Sequence, residues 1–432
     1  MAEAVEAGAA AAPALPMAPV GVEERVRELD LLRGFAIFGI LLVNMGFFGA
    51  PLALQAAGIR WFDGPVDRAA EWLIRFLAQG KFYSLFSFLF GLGFALQMVR
   101  AQARGAAFGS FFRRRLLALL LIGTVHALLV WMGDILATYA LIGFLLLFFR
   151  RRQPKTIAIW AVVCLMLPAL LVTGLAGYME LVGSPEMTRT FAEMAVDARR
   201  QVESSRSAYG HGTFAQITQQ RVTDVAGLYS FFPFFFPSIL GMFLWGLWVG
   251  KRGILNDLSG NLGFLRKVQR YGLALGIVGN LAFVISAEYS NPATPSLVGA
   301  AGFIGLAFGA PALCFFYATT LVLLFRDPVW RRRLDPLAAV GRTALSNYLL
   351  QSLVCTTLFY SYGLAWYGKV GPALGLALTL ALFAFQIPLS NWWVGRFRYG
   401  PGEWLWRSLT YGRPQPMRLA PAEGPPISSR KE

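Results

Sequence analysis

The sequence reads as an all-α fold, a polytopic transmembrane helical bundle of about ten spans with both termini in the cytoplasm. Three observations lead there. Of 432 residues, 56% are hydrophobic and only 14% are charged, whereas a soluble chain carries about a quarter charged residues. Apolar stretches recur along the chain, each long enough to cross a hydrocarbon core of roughly 30 Å as a helix. They are continuous rather than alternating, which excludes the other spanning architecture, a closed barrel. The net charge of +16 does not describe a nucleic-acid surface, because the basic residues gather in short loops between apolar runs. Charge placed that way orients membrane helices.

Residues 1–24 form an Ala/Pro-rich tail without the basic n-region of a signal peptide. One transmembrane domain then occupies 25–412. Its spans fall near 31–53, 79–99, 113–131, 134–149, 156–178, 228–250, 270–289, 301–325, 340–362 and 372–394. The loop "RAQARGAAFGSFFRRR" holds five arginines and no acid, and "RRRQPK" holds four basic residues and no acid. Opposite loops are neutral: "WMGD" alone joins the third and fourth spans, and 179–227 carries six acids against five basic residues. This alternation places both termini inside. Within the external 179–227 segment, "MTRTFAEMAVDARRQVESS" suits an amphipathic helix. Lys81, opening the second span, is expected to snorkel. "GPGEWLWRSLTYG" suits an interfacial anchor, and 413–432 is a cytoplasmic tail. Cys164, Cys314 and Cys355 lie inside apolar runs, offering neither a disulfide framework nor CxxC metal spacing.

Polar groups at membrane depth are costly, and so are functional candidates. Asp30 and Arg33 share a face of the first span, which fits an entry ion pair or a substrate contact. Asn44 lies eleven residues beyond Arg33, roughly 16 Å deeper. His126 is thirteen residues beyond Arg113, about 20 Å up its own span. A neutral imidazole there can accept a proton, or serve as hydrogen-bonded packing between helices. Asp134 begins the next span, where capping of free N–H groups accounts for it. The tight turn also brings it back beside His126, which it would orient as a base. Thr343, Asn347 and Gln351, four residues apart, form a stripe that suits either helix–helix hydrogen bonding or the wall of a polar tunnel.

The stretches "RELDLLRGFAIFGILLVNMGFFG", "KFYSLFSFLFGLGFALQM", "HALLVWMGDILATYALIGF", "GRTALSNYLLQSLVCTTLFY" and "GPGEWLWRSLTYG" resemble the bacterial YeiB-like family, a membrane domain of unknown function, in the same order from about 25 to 413. The resemblance implies a multi-pass protein of the bacterial cytoplasmic membrane. The first span is also remotely similar to the transmembrane acyltransferase superfamily. In its acyltransferase-three branch an arginine is followed eleven residues on by a catalytic histidine; here those positions hold Arg33 and Asn44. In the heparan-glucosaminide acetyltransferase branch that span also has asparagine, and the working histidine comes from the following loop; here the 50–78 loop contains none.

The functional expectation is an acyltransferase-like enzyme that moves an acyl group from cytoplasmic acyl-CoA to a sugar or lipid near the outer face. His126 is its base, Asp134 orients the imidazole, and Asn44 bonds the developing oxyanion. Arg113, Arg114 and Arg115 meet the phosphates of the acyl-CoA. Arg33, Thr343, Asn347 and Gln351 bind substrate. The alternative is a transporter or flippase for a small amphiphile. Membrane lipids, and a second copy in a homodimer, are the expected partners.

Overall fold

The computed structural model describes residues 26–54, 56–230, 232–291 and 294–419. The Ala/Pro-rich 1–24 tail and the end of the C-terminal tail lie outside them. Helices follow one another as α1 (Arg27–Gly49), α2 (Pro65–Leu77), α3 (Lys81–Ala103), α4 (Phe108–Leu129), α5 (Leu136–Phe149), α6 (Pro154–Val182), α7 (Pro185–His211), α8 (Phe214–Ser230), α9 (Phe232–Lys251), α10 (Leu262–Tyr289), α11 (Leu297–Leu324), α12 (Pro328–Arg342), α13 (Ala344–Phe359), α14 (Pro372–Val394) and α15 (Pro401–Tyr411). Among the described residues the only β pairing is an isolated bridge between Phe397 and Arg418.

Nine of the ten expected spans fall on α1, α3, α4, α5, α6, α9, α10, α11 and α14, and the ninth in chain order, 340–362, is broken at Thr343 between the end of α12 and α13. Among the described residues seven helical segments are long and apolar enough to cross a membrane, α2 running on into α3 in one of them. α4 falls outside that set because Arg113, Arg114 and Arg115 occupy its first turns, and α5 and α13 because they have only 14 and 16 residues. Large side chains in mid-helix, such as Leu170, Leu275 and Val278, stand exposed. In water that would be costly; in lipid it is the expected outer surface of a multi-pass protein.

The main core joins α1, α3, α4, α5, α9 and α13, with α10 outside it, packed on α11 and α2. α12 crosses α1 backbone to backbone. A Cβ on Gly341 would sit 1.7 Å from the carbonyl oxygen of Asp30, and one on Gly34 would sit 2.0 Å from that of Leu337. Only glycine permits this approach, and it sets Arg342, the last residue of α12, beside the entry of α1.

The segment expected as an external loop is a pair of helices. The amphipathic run lies in α7, and α8 starts after a break at Gly212 and Thr213. That start is a capping box: Thr213 N–H donates to Gln216 Oε1 at 2.8 Å, and Gln216 N–H donates to Thr213 Oγ1 at 3.4 Å. Lys81 does not snorkel. It is fully buried, and its ammonium donates to the carbonyls of Arg75 and Gln79 at 2.9 and 2.8 Å. It thereby satisfies orphan acceptors at the end of α2.

Candidate functional site

At the end of the bundle where α3 stops and α4, α13 and α15 start, a cavity of about 280 Å³ opens between the helices. Its lining holds six arginines, Arg33, Arg100, Arg104, Arg115, Arg342 and Arg407, against two carboxylates, Asp30 and Glu403. Deeper in, the walls turn apolar through Ile37, Ile40, Leu119 and Leu136, and they include Tyr139, Tyr348 and Ile135. The arrangement suits an amphiphile with a multiply anionic head and an apolar arm.

Several local structures hold this mouth open. Arg33 Nη1 donates to Asp30 Oδ1 at 3.0 Å, one turn back on α1. The Arg115 guanidinium lies 3.7 Å over the ring of Trp406, whose indole N–H donates to the Arg115 carbonyl at 2.9 Å. Glu403, in the GPGEW motif of α15, caps the start of α13, accepting from Leu345 N–H at 2.6 Å and from the Ser346 hydroxyl at 2.5 Å. A carboxylate at a helix N-terminus meets free N–H groups and the positive end of the dipole. Burial nonetheless pushes the Glu403 carboxyl above its ordinary value.

Beyond the inner end of the cavity lies the pair foreshadowed by the "WMGD" turn. His126 Nδ1 is 2.8 Å from Asp134 Oδ2, and the two side chains are 2% and 1% exposed. The other carboxylate oxygen accepts Ala137 N–H at 2.7 Å. Asp134 therefore caps α5 and holds the imidazole at once. With the carboxylate ionised, Nδ1 carries the proton and Nε2 keeps its lone pair. Nε2 is buried and has no hydrogen-bond partner. Gly123, one turn before His126, makes room for the carboxylate: a Cβ there would lie 2.3 Å from Ala137 N and 2.8 Å from Asp134 Oδ1. Tyr348 stands between pair and cavity. Its ring centroid is 5.2 Å from that of His126, and its hydroxyl donates to the Gly133 carbonyl at 3.3 Å while lining the cavity.

The other expected site residues divide sharply. Arg33 and Arg115 line the cavity, while Arg113 and Arg114 are exposed and stand outside it. Asn44 is half-buried on the α1 face that carries Ile40 below it and Phe48 above it. Phe48 stacks on Trp131 at 4.1 Å, but no hydrogen bond joins Asn44 to His126 or Asp134. Asn44 therefore stands apart from the bonded pair. Thr343, Asn347 and Gln351 are not among the residues that line this cavity. They are buried and bonded between α13 and α14: Asn347 Nδ2 donates to Thr343 Oγ1 and Ser390 Oγ at 2.9 Å each, and Gln351 Nε2 to Gln386 Oε1 at 2.8 Å. Of the two readings of that stripe, the structure gives helix–helix bonding, because α14 presents Gln386 and Ser390 at the matching heights.

Tyr348, Arg342, Arg407 and Glu403 went unread in the sequence as site residues. The position of Glu403, two residues after Pro401 at a helix start, was the available cue. Among the described residues no group of three or more His, Cys, Asp or Glu side chains could hold a metal ion.

A family model described as "Protein of unknown function (DUF418)" matches residues 249–413, from the end of α9 to the end of α15. The chain is 39% identical over 421 residues to "Uncharacterized protein YxaH" of Bacillus subtilis (strain 168), covering 92% of this chain and 97% of that protein. It is 32% identical over 400 residues to "Uncharacterized protein YeiB" of Escherichia coli (strain K12), covering 90% and 96%. With "Uncharacterized 39.9 kDa protein in amylase 3'region" of Bacillus acidopullulyticus the identity is 29% over 412 residues, covering 93% and 99%. Shares this large take in the α4–α5 hairpin and α13 wherever the aligned stretch begins.

Proposed function

The chain belongs to the YeiB-like family of multi-pass membrane proteins of unknown function, and within that family we propose that it is an acyltransferase that takes its acyl group from an acyl-CoA seated in the arginine-lined cavity. The observation that carries this reading is the buried His126–Asp134 pair behind the inner end of that cavity.

The phosphates of the acyl-CoA sit among Arg33, Arg115, Arg342 and Arg407 on the cytoplasmic side, where guanidinium forks match phosphate oxygens. Arg115 and His126 are eleven residues apart on α4, roughly 16 Å along the axis, which the extended thioester arm covers through the apolar section. Tyr348 must swing aside for the thioester to meet the pair. An acceptor hydroxyl then gives its proton to His126 Nε2 as its oxygen attacks the thioester carbonyl. The C–S bond breaks, the acyl group stays on the acceptor oxygen, and the imidazolium returns the proton to the departing thiolate. Asp134 stabilises the imidazolium without taking its proton. The acceptor is a sugar or lipid near the outer face, and the membrane is the bacterial inner membrane.

The test uses the purified full-length protein with radiolabelled acetyl-CoA. Expected is slow thioester hydrolysis or transfer to added lipid, lost in His126→Gln. Uptake of an amphiphile into vesicles with no consumption of acetyl-CoA would replace the enzyme with a carrier.

A further inference from the structure

On the other side of the His126–Asp134 pair from the arginine cavity lies a second buried polar cluster. Arg221, on α8, is fully buried. Its Nη1 donates to the carbonyl of Leu128, at the end of α4, at 3.1 Å. Nε and Nη2 are both buried and both without a hydrogen-bond partner. Those two nitrogens are the side-on fork of a guanidinium, the edge that binds a carboxylate or phosphate bidentately. Two more donors in the same cluster are unpartnered, the hydroxyls of Tyr360 and Tyr367, whose residues are 0% and 5% exposed. The Arg221 guanidinium carbon is 5.8 Å from the centroid of the Tyr360 ring, and the Tyr360 and Tyr367 rings are 6.1 Å apart.

The nearby carboxylate does not answer this fork. Asp224 accepts the Tyr209 hydroxyl at 2.6 Å on one oxygen and Gln220 Nε2 at 2.9 Å on the other, and it forms no ion pair with Arg221. Burial also pushes the Asp224 carboxyl above its ordinary value, which weakens it as a counter-charge. Unpartnered buried donors cost folding free energy, and a buried charge more so. Four such atoms gathered within one cluster are the inverse image of an oxyanion.

We propose that Arg221, Tyr360 and Tyr367 bind the oxyanion, a carboxylate or phosphate, of a ligand entering from the α7–α8 side. Resting on the acyl-transfer reading, this oxyanion belongs to the acceptor, because Leu128 lies two residues beyond His126 on the same helix. The fork of Arg221 holds two of its oxygens, and the two phenols donate to the remaining lone pairs.

The experiment measures thermal unfolding of the full-length protein without any acyl-CoA, so its outcome is independent of acyl transfer. Inorganic phosphate and acetate are titrated into detergent-solubilised protein. In parallel, nanodiscs of phosphatidylglycerol are compared with nanodiscs of phosphatidylcholine. A shift with phosphate or acetate identifies a free anionic ligand; a shift only with phosphatidylglycerol identifies a lipid head group. Either supports the site if the Tyr360→Phe/Tyr367→Phe variant weakens the response about tenfold or more and Arg221→Gln abolishes it. The double Phe variant removes hydroxyls that have no partner in the ligand-free protein, so its own stability is expected to be unchanged. Should Arg221→Gln fail to fold, the Phe variant decides alone. A response equal in wild type and the Phe variant, or no response to phosphate, acetate or phosphatidylglycerol, overturns the proposal. His126→Gln is expected to leave the response intact while removing thioester chemistry, which separates failure of this site from failure of the enzyme reading.

Discussion

Two sets of buried polar groups lie at membrane depth, and they are built on opposite plans. Between α13 and α14, the amide N–H groups of Asn347, Gln351 and Gln386 find acceptors on Thr343, Ser390, Gln386 and the Asn347 backbone. Gln386 Nε2 even reaches back to the Asn347 carbonyl at 3.1 Å. Around the α4–α5 hairpin, His126 Nε2 and the Trp131 indole N–H are buried without partners, close to a cavity lined with cations. The sequence offered both sets on equal terms, as polar residues inside apolar runs. The difference teaches that a polar residue in a span is a packing device when its hydrogen bonds run to the neighbouring helix, and a candidate for chemistry when a fully buried polar atom is left without a partner.

The largest effect expected from breaking this contrast is at the pair itself. His126→Gln removes the base and is expected to lower acyl transfer by about 100-fold or more. Asp134→Asn is the sharper probe. Its remaining oxygen can still accept Ala137 N–H, so the cap survives, but an amide nitrogen cannot accept from the imidazole. A comparable loss of kcat with an unchanged unfolding temperature assigns the carboxylate to the imidazole. Retained kcat would reduce Asp134 to a cap.

Gly123 offers a way to disturb both roles together. The Cβ of Gly123→Ala meets the backbone of Ala137 and the Asp134 carboxylate, so α4 and α5 must separate. Overpacking of this kind costs about 1–3 kcal/mol. Thermal unfolding should show it, with activity falling alongside. An alanine that leaves both intact would mean that the hairpin is loose, and that the His126–Asp134 distance is not fixed by this packing.

At the mouth, Arg342→Ala is expected to raise the KM for acyl-CoA about tenfold with little change in kcat. Arg113→Ala and Arg114→Ala, outside the cavity, are expected to change neither. Added salt should mimic the Arg342 change, since exposed charge contacts are screened. Equal effects from all three arginines would show that general positive charge, rather than the cavity, attracts the substrate.

How much of this was legible follows from how local each signal is. The helices were readable because a long apolar run carries its own instruction. The His126–Asp134 contact was readable as well, because a very short turn forces the two helix ends together. The arginine cavity was not. It gathers Arg33 and Arg115, which the sequence offered as binding residues, with Arg342 and Arg407, which it did not, from four helices whose packing no single stretch announces. The break at Thr343, which divides the expected ninth span into the end of α12 and all of α13, was hidden too. It depends on Glu403, 60 residues on in sequence, capping the start of α13. The bonds of Gln351 depend on a partner 35 residues away, whose height no single-chain pattern announces.

Glu403 adds a pH test at the cavity rim. Burial raises its carboxyl in the folded protein above the ordinary 4.5, so the folded state binds the proton more tightly than the unfolded state. Stability from this group is therefore fully present below the unfolded value and lost as pH rises through the raised folded value. Relative to Glu403→Gln, the wild type should lose unfolding temperature as pH rises from about 4.5. A difference that is flat with pH would mean that the capping bonds to Leu345 and Ser346 fully offset burial.

The smallest effects belong to the α13–α14 set, and they test the comparison most directly. Asn347→Leu removes donors to Thr343 Oγ1 and Ser390 Oγ, and Gln351→Leu removes the donor to Gln386 Oε1. Interhelical bonds within membranes contribute about 0.6 kcal/mol on average and up to about 1.7, because the separated helices find other partners. Each substitution is thus expected to lower stability by about that much, read as a small drop in unfolding temperature. Thioester hydrolysis by the folded fraction should be unchanged. The Gln351 and Gln386 side chains should also show coupling: Gln386→Leu added to Gln351→Leu costs less than the sum of the two, since the second change removes an acceptor already stranded by the first. If Asn347→Leu instead depresses kcat while stability holds, the α13–α14 contact reaches the chemistry, and hydrogen bonding between helices is no longer a guide to which polar residues matter.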